Sequence, residues 1–253
     1  MFKTIVFSAF GAALAICLSV TALQFATTEP LILHAEEFEG AAPAHDHAPA
    51  ASSLPDAGLI PAVAAGADAM LFRVHGETAA EGGEEWGPAD GIERGLYTAL
   101  ANLLIGFAIS LMLLGVMVLK GDPIDARRGL LWGVAGFAAV ALLPALGLPP
   151  ELPGTPAADI VDRQLWWLFT AAASAAGIGL MVFGRNWGIV AAGLALVIAP
   201  HLLGAPQPPS HDVSYPGALA GEFVVASLVV SAVLWSLAGL VSGALYQRFS
   251  ASA

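Results

Sequence analysis

The sequence contains few charged residues: they make up 11% of its 253 residues, whereas soluble globular proteins have about 25%. Hydrophobic residues make up 57%. A water-soluble core of this size cannot bury so much apolar surface, so part of it must face lipid. Only nine residues are lysine or arginine, and the net charge is −11. Because nucleic-acid binding requires clustered basic residues, the composition indicates no nucleic-acid partner.

Signatures of catalysis and of bound cofactors are also missing. The single cysteine, Cys17, lies in an apolar run and can form neither an internal disulfide nor a thiolate metal cluster. There is no Gly-x-x-x-x-Gly-Lys-Ser/Thr loop for nucleotide phosphates. No apolar stretch carries a charged residue or a histidine at its centre, which excludes an intramembrane proton relay and paired haem ligands. We therefore expect neither an enzyme nor a permanently bound cofactor.

Six apolar stretches are candidates to cross a hydrocarbon core of roughly 30 Å as helices. A backbone in lipid must satisfy its own hydrogen bonds, which favours helices for all of them. The fifth stretch is the shortest and contains Pro200. The predicted fold is therefore all-α, a polytopic membrane helical bundle of about six spans. The six stretches are Thr4–Thr27, Leu96–Leu119, Gly129–Leu146, Leu165–Phe183, Gly188–Leu203 and Ala218–Tyr246.

The first stretch has a second interpretation. Lys3, the apolar run and the small residues Val20-Thr21-Ala22 also fit a secretory signal, whose cleavage would leave five spans. With either interpretation we predict three regions. Residues 1–27 form the first transmembrane helix or signal anchor, and residues 28–93 form an acidic, histidine-bearing, partly disordered outer segment. Residues 94–253 form a five-helix membrane bundle with short loops.

Charged residues are distributed unequally across the predicted membrane. Six of the nine basic residues fall at the two termini and in segments 120–128 and 184–187, which the positive-inside rule places in the cytoplasm. All six histidines and eighteen of the twenty acidic residues fall on the opposite side. The sequence therefore predicts a multi-pass protein with cytoplasmic termini and an outer face that attracts cations.

Imidazole and carboxylate groups on the outer face are the ligand types that suit cobalt, nickel, copper and zinc, although ligand type alone cannot select among these metals. His45-Asp46-His47 provides two imidazoles and one carboxylate within three residues. Metal binding by neutral imidazole should weaken as the pH falls. The predicted metal-binding residues are His34, Glu36, His45, His47, His75, Glu151, His201, His211, Asp212 and Glu222.

Two of these positions have an unusual local setting. His201 follows Pro200 at the end of an apolar stretch, where an unpaired polar ring is costly. Glu151 lies in a loop rich in proline and glycine, residues 147–154, which should hold it in one place. We expect Arg163 to form a salt bridge with a nearby acid.

Two pairs of glycines are spaced four residues apart within predicted spans. They are Gly129 with Gly133, and Gly239 with Gly243. Small residues at this spacing allow helix backbones to approach closely in a membrane. We therefore predict close helix packing at both pairs.

Several motifs together resemble the CbtA family of predicted cobalt transporter subunits of bacterial inner membranes. They extend over nearly the whole chain, and the Leu-Pro-Pro-Glu-Leu-Pro-Gly run with Arg-Gln-x-Trp-Trp is the most specific. The motifs are Pro30-Leu31-Ile32-Leu33, the segment 86–94, Gly129-Leu130-Leu131-Trp132-Gly133, the segment 144–154, Arg163-Gln164-Leu165-Trp166-Trp167 and Leu202-Leu203-Gly204-Ala205-Pro206.

The resemblance implies uptake of cobalt for cobalamin synthesis, a fold usually described with five spans, and a small single-span companion subunit bearing histidines (CbtB). Two functions remain open at this point. The first is a permease, or permease subunit, that captures a divalent cation, cobalt or nickel, on the outer face and passes it inward. The second is a non-conducting scaffold that binds nickel, copper or zinc and delivers it to a partner.

Overall fold

The protein, seen in a computed structural model, is described over residues 2–41, 88–89 and 91–251, where it contains helices and no strand. These helices belong to one compact unit, Met1–Ala42 with Ala89–Ala253. The all-α polytopic fold predicted from hydropathy is confirmed. The helices are α1 (Phe2–Ala26), α2 (Thr28–Ala41), α3 (Ile92–Lys120), α4 (Ala126–Ala145), α5 (Ile160–Phe183), α6 (Trp187–Leu203) and α7 (Gly217–Ala251).

Five of these helices, namely α1, α3, α4, α5 and α7, are long and apolar enough to cross a membrane. Helix α6 is apolar but has only 17 residues, in agreement with the short fifth stretch of the sequence. Helix α2 follows α1 after a turn at Thr27. The chain is therefore a bundle of five long spans and one shorter apolar helix.

Polar residues fix the start of three helices at the turns between them. The side chain of Asp125 accepts a hydrogen bond from the Arg128 backbone N–H at 2.8 Å, and that of Asn186 accepts one from Ile189 at 3.0 Å. Asp159 caps α5 in the same way, through the N–H of Val161. Such caps satisfy N–H groups that have no partner within the helix. They keep the connections 121–125 and 184–186 short.

The hydrophobic core lies among α1, α3 and α7. Ile16 of α1 and Leu114 of α3 are fully buried, and Trp235 of α7 is 6% exposed. Asn102 of α3 donates hydrogen bonds to Thr21 Oγ1 at 2.9 Å and to Gln24 Oε1 at 2.6 Å. Because a polar side chain in a membrane bundle needs such partners, these bonds fasten α3 to α1. Helix α1 is therefore an integral part of the bundle.

The two glycine pairs meet each other, which confirms the predicted close packing. A Cβ atom added to Gly129 of α4 would lie 2.9 Å from the carbonyl carbon of Gly239 and closer still to its oxygen. One added to Gly243 would lie 2.5 Å from the carbonyl oxygen of Asp125. Backbones of α4 and α7 are thus in direct contact, and only glycine fits.

Helix α4 widens into a π-helix over Ala138–Leu142, where the N–H of Leu143 reaches back to the carbonyl of Ala138. Pro144 follows at once and is fully buried. A proline has no N–H and crowds the carbonyl four residues earlier, so a local widening accommodates it inside a span. Helix α4 crosses the bundle without a break for this reason.

We expect the purified protein to retain residues 2–26, because α1 supplies fully buried core residues such as Ile16 and Val20. Cleavage after Ala22 would remove these packing contacts and the hydrogen bond from Asn102 to Thr21, which hold α1 to α3 within the membrane. Intact mass measurement of the membrane-extracted protein checks this. A mature chain that starts after Ala22 would show that the signal interpretation is correct instead.

Candidate metal-binding end of the bundle

One end of the bundle carries the loops 146–159 and 204–216 together with α2, and we call it the acidic end. A small apolar cluster joins these segments. It contains Ala35 of α2, Leu152 and Tyr215 of the two loops, and Leu219 and Phe223 of α7. A hydrogen bond between Thr155 and the Tyr215 hydroxyl joins the loops. The loops are therefore packed on α2 and α7.

Two ion pairs fasten the acidic end. Glu36 of α2 accepts two hydrogen bonds from Arg94 of α3, at 2.7 Å and 3.3 Å. Glu151 in the proline-rich loop accepts one from Arg163 of α5 at 2.7 Å, which confirms the predicted salt bridge. Guanidinium groups match carboxylates well. Both predicted metal ligands are therefore engaged by arginine, and a cation would have to compete for them.

His34 lies on the exposed side of α2. Its Nδ1 is 3.4 Å from a carboxylate oxygen of Glu37, one turn further along the helix. Its ring packs edge-on against Phe38, with centroids 5.3 Å apart. The half-exposed imidazole can therefore reach ligands from solution with a carboxylate beside it.

His201 is placed differently, in the last turn of α6. Its ring packs edge-on against the indole of Trp166 of α5, with centroids 5.9 Å apart. His201 Nε2 and Trp166 Nε1 are both buried, and neither has a hydrogen-bond partner within the described chain. Buried polar atoms are bonded in the large majority of cases. Two unpaired nitrogens on rings that pack against each other therefore mark this position as a candidate binding site.

Two buried hydroxyls continue from Trp166 along one face of α5. Thr170 and Ser174 follow Trp166 at intervals of four residues and are fully buried, and side chains at that spacing share a helix face. Thr170 donates to the Trp166 carbonyl at 2.8 Å, whereas Ser174 Oγ has no partner among the described residues. A short polar ladder thus leads inward from His201.

The other predicted ligands are distributed more widely. His211 and Asp212 are exposed in the 204–216 loop, and Glu222 is exposed on α7. His45, His47 and His75 lie outside the described residues. Over residues 2–41 and 91–251, no three His, Cys, Asp or Glu side chains come together as a metal site would require. The assignment of the metal ligands stays a prediction.

Some residues of this end were not singled out by the sequence. Arg94 pairs with a residue 58 positions earlier, and Tyr215 contacts Thr155 across 60 positions. A lone arginine beside a strongly acidic segment is a signal that could have suggested the first contact. The pairing of Trp166 with His201 depends on how α5 and α6 pack and has no such signal.

The opposite end of the bundle, which we call the basic end, holds the N-terminus of α1, the C-terminus of α7 and the short turns 121–125 and 184–186. Lys120 donates a hydrogen bond to Asp122 and holds the pKa of that carboxyl below its ordinary value. The Lys120 ammonium also lies 4.8 Å from the ring centre of Phe183. The separation of acidic and basic residues seen in the sequence is thus a separation between two ends of one bundle.

A helical bundle with five long apolar spans and oppositely charged ends defines a multi-pass α-helical membrane protein. Within that class, the chain belongs to the CbtA family: the family model described as probable cobalt transporter subunit matches residues 2–247. The family resemblance of the sequence motifs is confirmed. No curated protein and no solved structure is significantly similar to the chain.

Proposed function

We propose that the protein is the permease subunit of a cobalt uptake system, and that the metal serves cobalamin synthesis. In this proposal Co²⁺ is the transported substrate and the bundle lies in the bacterial inner membrane with both termini cytoplasmic. The acidic end then faces outward. Family membership supports the cobalt, and the six basic residues at the basic end support the orientation.

The observation that carries the proposal is the unpaired imidazole of His201. Its Nε2 is buried and has no partner among the described residues, its ring packs on the indole of Trp166, whose Nε1 is likewise unpartnered there, and imidazole is a good ligand for cobalt and nickel. A hydrated cation bound at Nε2 would place a coordinated water near the indole N–H, which would then have an acceptor. Thr170 and Ser174 would offer further oxygen atoms one and two turns inward.

Capture on the acidic end would precede binding at His201. His34 is exposed with Glu37 beside it, and we assign the first encounter to His34, His45 and His47. Glu151 and His211 would serve nearer the pathway. A cleft or face of one sign of charge raises the local concentration of counter-ions. Competition by a divalent cation for Glu36 or Glu151 would also loosen their arginine pairs, and so couple capture to movement of α2 and the 146–159 loop.

The membrane potential can supply the energy for inward movement. At about 2.3 kcal/mol per charge per 100 mV, a divalent cation gains about 4.6 kcal/mol on entry. No coupled ion is then needed. A small single-span, histidine-bearing subunit of the CbtB type is the partner that we assign to the complex, since the family is one of transporter subunits.

A specific observation favours the second function, a scaffold that binds metal without conducting it. Beyond Ser174, the same face of α5 continues with Gly177, Ile178 and Met181, whose side chains offer no oxygen or nitrogen ligand. A bare or hydrated divalent cation is unstable against such a lining. On this view the chain would hold nickel, copper or zinc at the acidic end and pass it to the partner.

Flux into liposomes distinguishes the two functions. We expect the purified protein, in vesicles that hold a cobalt-quenched dye, to admit Co²⁺ when a potential of about 100 mV, negative inside, is imposed. Reversing the potential should slow the entry strongly. Vesicles without protein provide the control. Absence of flux, both alone and with the single-span subunit, would leave the scaffold function and exclude the permease.

A further inference from the structure

A large cavity lies between α3, α4 and α5 near the basic end, away from the candidate metal site. Its volume is about 660 Å³, within the range of about 300–1,000 Å³ typical of small-molecule sites. Helices α3 and α5 pack on either side of α4 and hardly on each other, which leaves the space open. Small residues form its floor: Ala135, Gly136 and Ala139 of α4, with Ala175 and Gly179 of α5.

The cavity opens sideways toward the lipid. Met112 and Val116 of α3 line one side and Val182 of α5 lines the other, and all three are exposed at the surface of the bundle. Most of the lining is apolar, and it includes Trp132 and Trp235. A hydrocarbon chain therefore fits the interior of the cavity.

The mouth of the cavity is cationic. Lys120 and Arg128 line it together with Asp122, and the side chains of both basic residues are partly exposed. Arg128 donates to the Pro123 carbonyl at 2.6 Å and lies 3.8 Å from Asp125. Over the described chain, the basic end holds six Lys and Arg against two Asp. The charged residues that line the mouth thus carry a net charge of +1, and they lie at an end of the bundle where basic residues outnumber acidic ones.

We propose that this cavity binds an anionic phospholipid, with one acyl chain inside it and the phosphate at Lys120 and Arg128. Basic pockets between transmembrane helices on the cytoplasmic side are known to suit anionic headgroups. The apolar interior and the cationic mouth match the two halves of such a lipid. The site is separate from His201 and does not depend on which metal the protein carries.

Tryptophan quenching by brominated lipids tests the proposal, since Trp132 and Trp235 line the cavity. The full-length protein is reconstituted in vesicles of non-brominated phosphatidylcholine with a minor fraction of dibrominated lipid. We expect dibrominated phosphatidylglycerol to quench more strongly than dibrominated phosphatidylcholine at the same mole fraction. Lys120→Gln and Arg128→Gln should each reduce this preference roughly fivefold.

A variant that fills the cavity provides the second measurement. Gly179 lines the cavity, and a Cβ added there meets no atom within 4 Å, so Gly179→Phe should fold and occupy the space. Gly115→Phe is the matched control, because Gly115 is also open at Cβ but does not line the cavity. We expect Gly179→Phe alone to lose the excess quenching by phosphatidylglycerol. Equal quenching by the two headgroups in the unaltered protein, or no difference between the two phenylalanine variants, would overturn the proposal.

Discussion

Gly129→Leu and Gly239→Leu are each expected to prevent the bundle from assembling. Each glycine lies where the backbones of α4 and α7 touch, so that an added Cβ would collide with the carbonyl group of the other. Backbone atoms cannot turn aside as a flexible side chain can, and the two helices would have to separate. Overpacking a well-packed core costs about 1–3 kcal/mol or more, and a backbone contact belongs at the upper limit.

The measurement is the yield of monodisperse protein after detergent extraction, followed by thermal unfolding of what remains. Gly115→Leu is the matched control, because a Cβ at Gly115 meets nothing within 4 Å. Replacing glycine in an exposed helix interior is itself favourable by about 1 kcal/mol, so the control should be at least as stable as the unaltered protein. Equal stability of Gly239→Leu and Gly115→Leu would disprove the direct contact between α4 and α7.

Hydropathy sufficed to predict the helices because lipid imposes one length and one backbone geometry on a spanning segment. Each of the six predicted stretches overlaps an observed helix, and the shortest stretch corresponds to α6, which has only 17 residues. Close helix packing at each glycine pair was also foreseeable from spacing, whereas the contact of Gly129 with Gly239 is seen only in the structure. Without a side chain, glycine at this spacing has few roles in a span other than close packing.

Partners across the bundle could not be predicted in the same way. The helices are apolar on most faces, so the sequence does not show which face of α5 meets α6 or where α2 lies. The bond between Glu36 and Arg94 and the contact of His201 with Trp166 follow from tertiary packing. The sequence identified His201 as unusual because of its position, but its unpaired Nε2 could be seen only in the structure.

Chemistry also explains why the metal ligands were harder to predict than the helices. Residue type marks Glu36 and Glu151 as ligands, yet carboxylates serve equally well as partners for arginine, and both take that role here. Hydropathy is a sum over some twenty residues, whereas a metal site depends on the placement of three or four atoms. An unusual residue changes the hydropathy sum little, whereas one misplaced ligand is enough to make the prediction of a metal site wrong.

Replacing His201 with phenylalanine is expected to reduce cobalt uptake by at least on the order of tenfold at subsaturating metal, the scale on which metal sites respond to loss of one supporting group. Phenylalanine keeps an aromatic ring against Trp166 but removes the buried nitrogen, so packing at the end of α6 is preserved. The measurement is initial uptake of radiolabelled cobalt by cells that lack other importers, normalised to the amount of protein in the membrane.

Two further variants help to interpret the result for His201→Phe. Trp167→Phe is the control, because Trp167 is next to Trp166 on α5 but 40% exposed and has no assigned role, so it should change uptake less than twofold, far less than the roughly tenfold loss expected at a ligand. Trp166→Phe removes only the indole N–H near the proposed metal-bound water. We expect uptake at subsaturating cobalt to fall by less than in His201→Phe, with an unchanged maximal uptake rate. Normal uptake by His201→Phe, at a normal protein level, would show that the buried His201 Nε2 at the end of α6 has no part in transport. The pathway would then have to avoid the ladder of Trp166, Thr170 and Ser174.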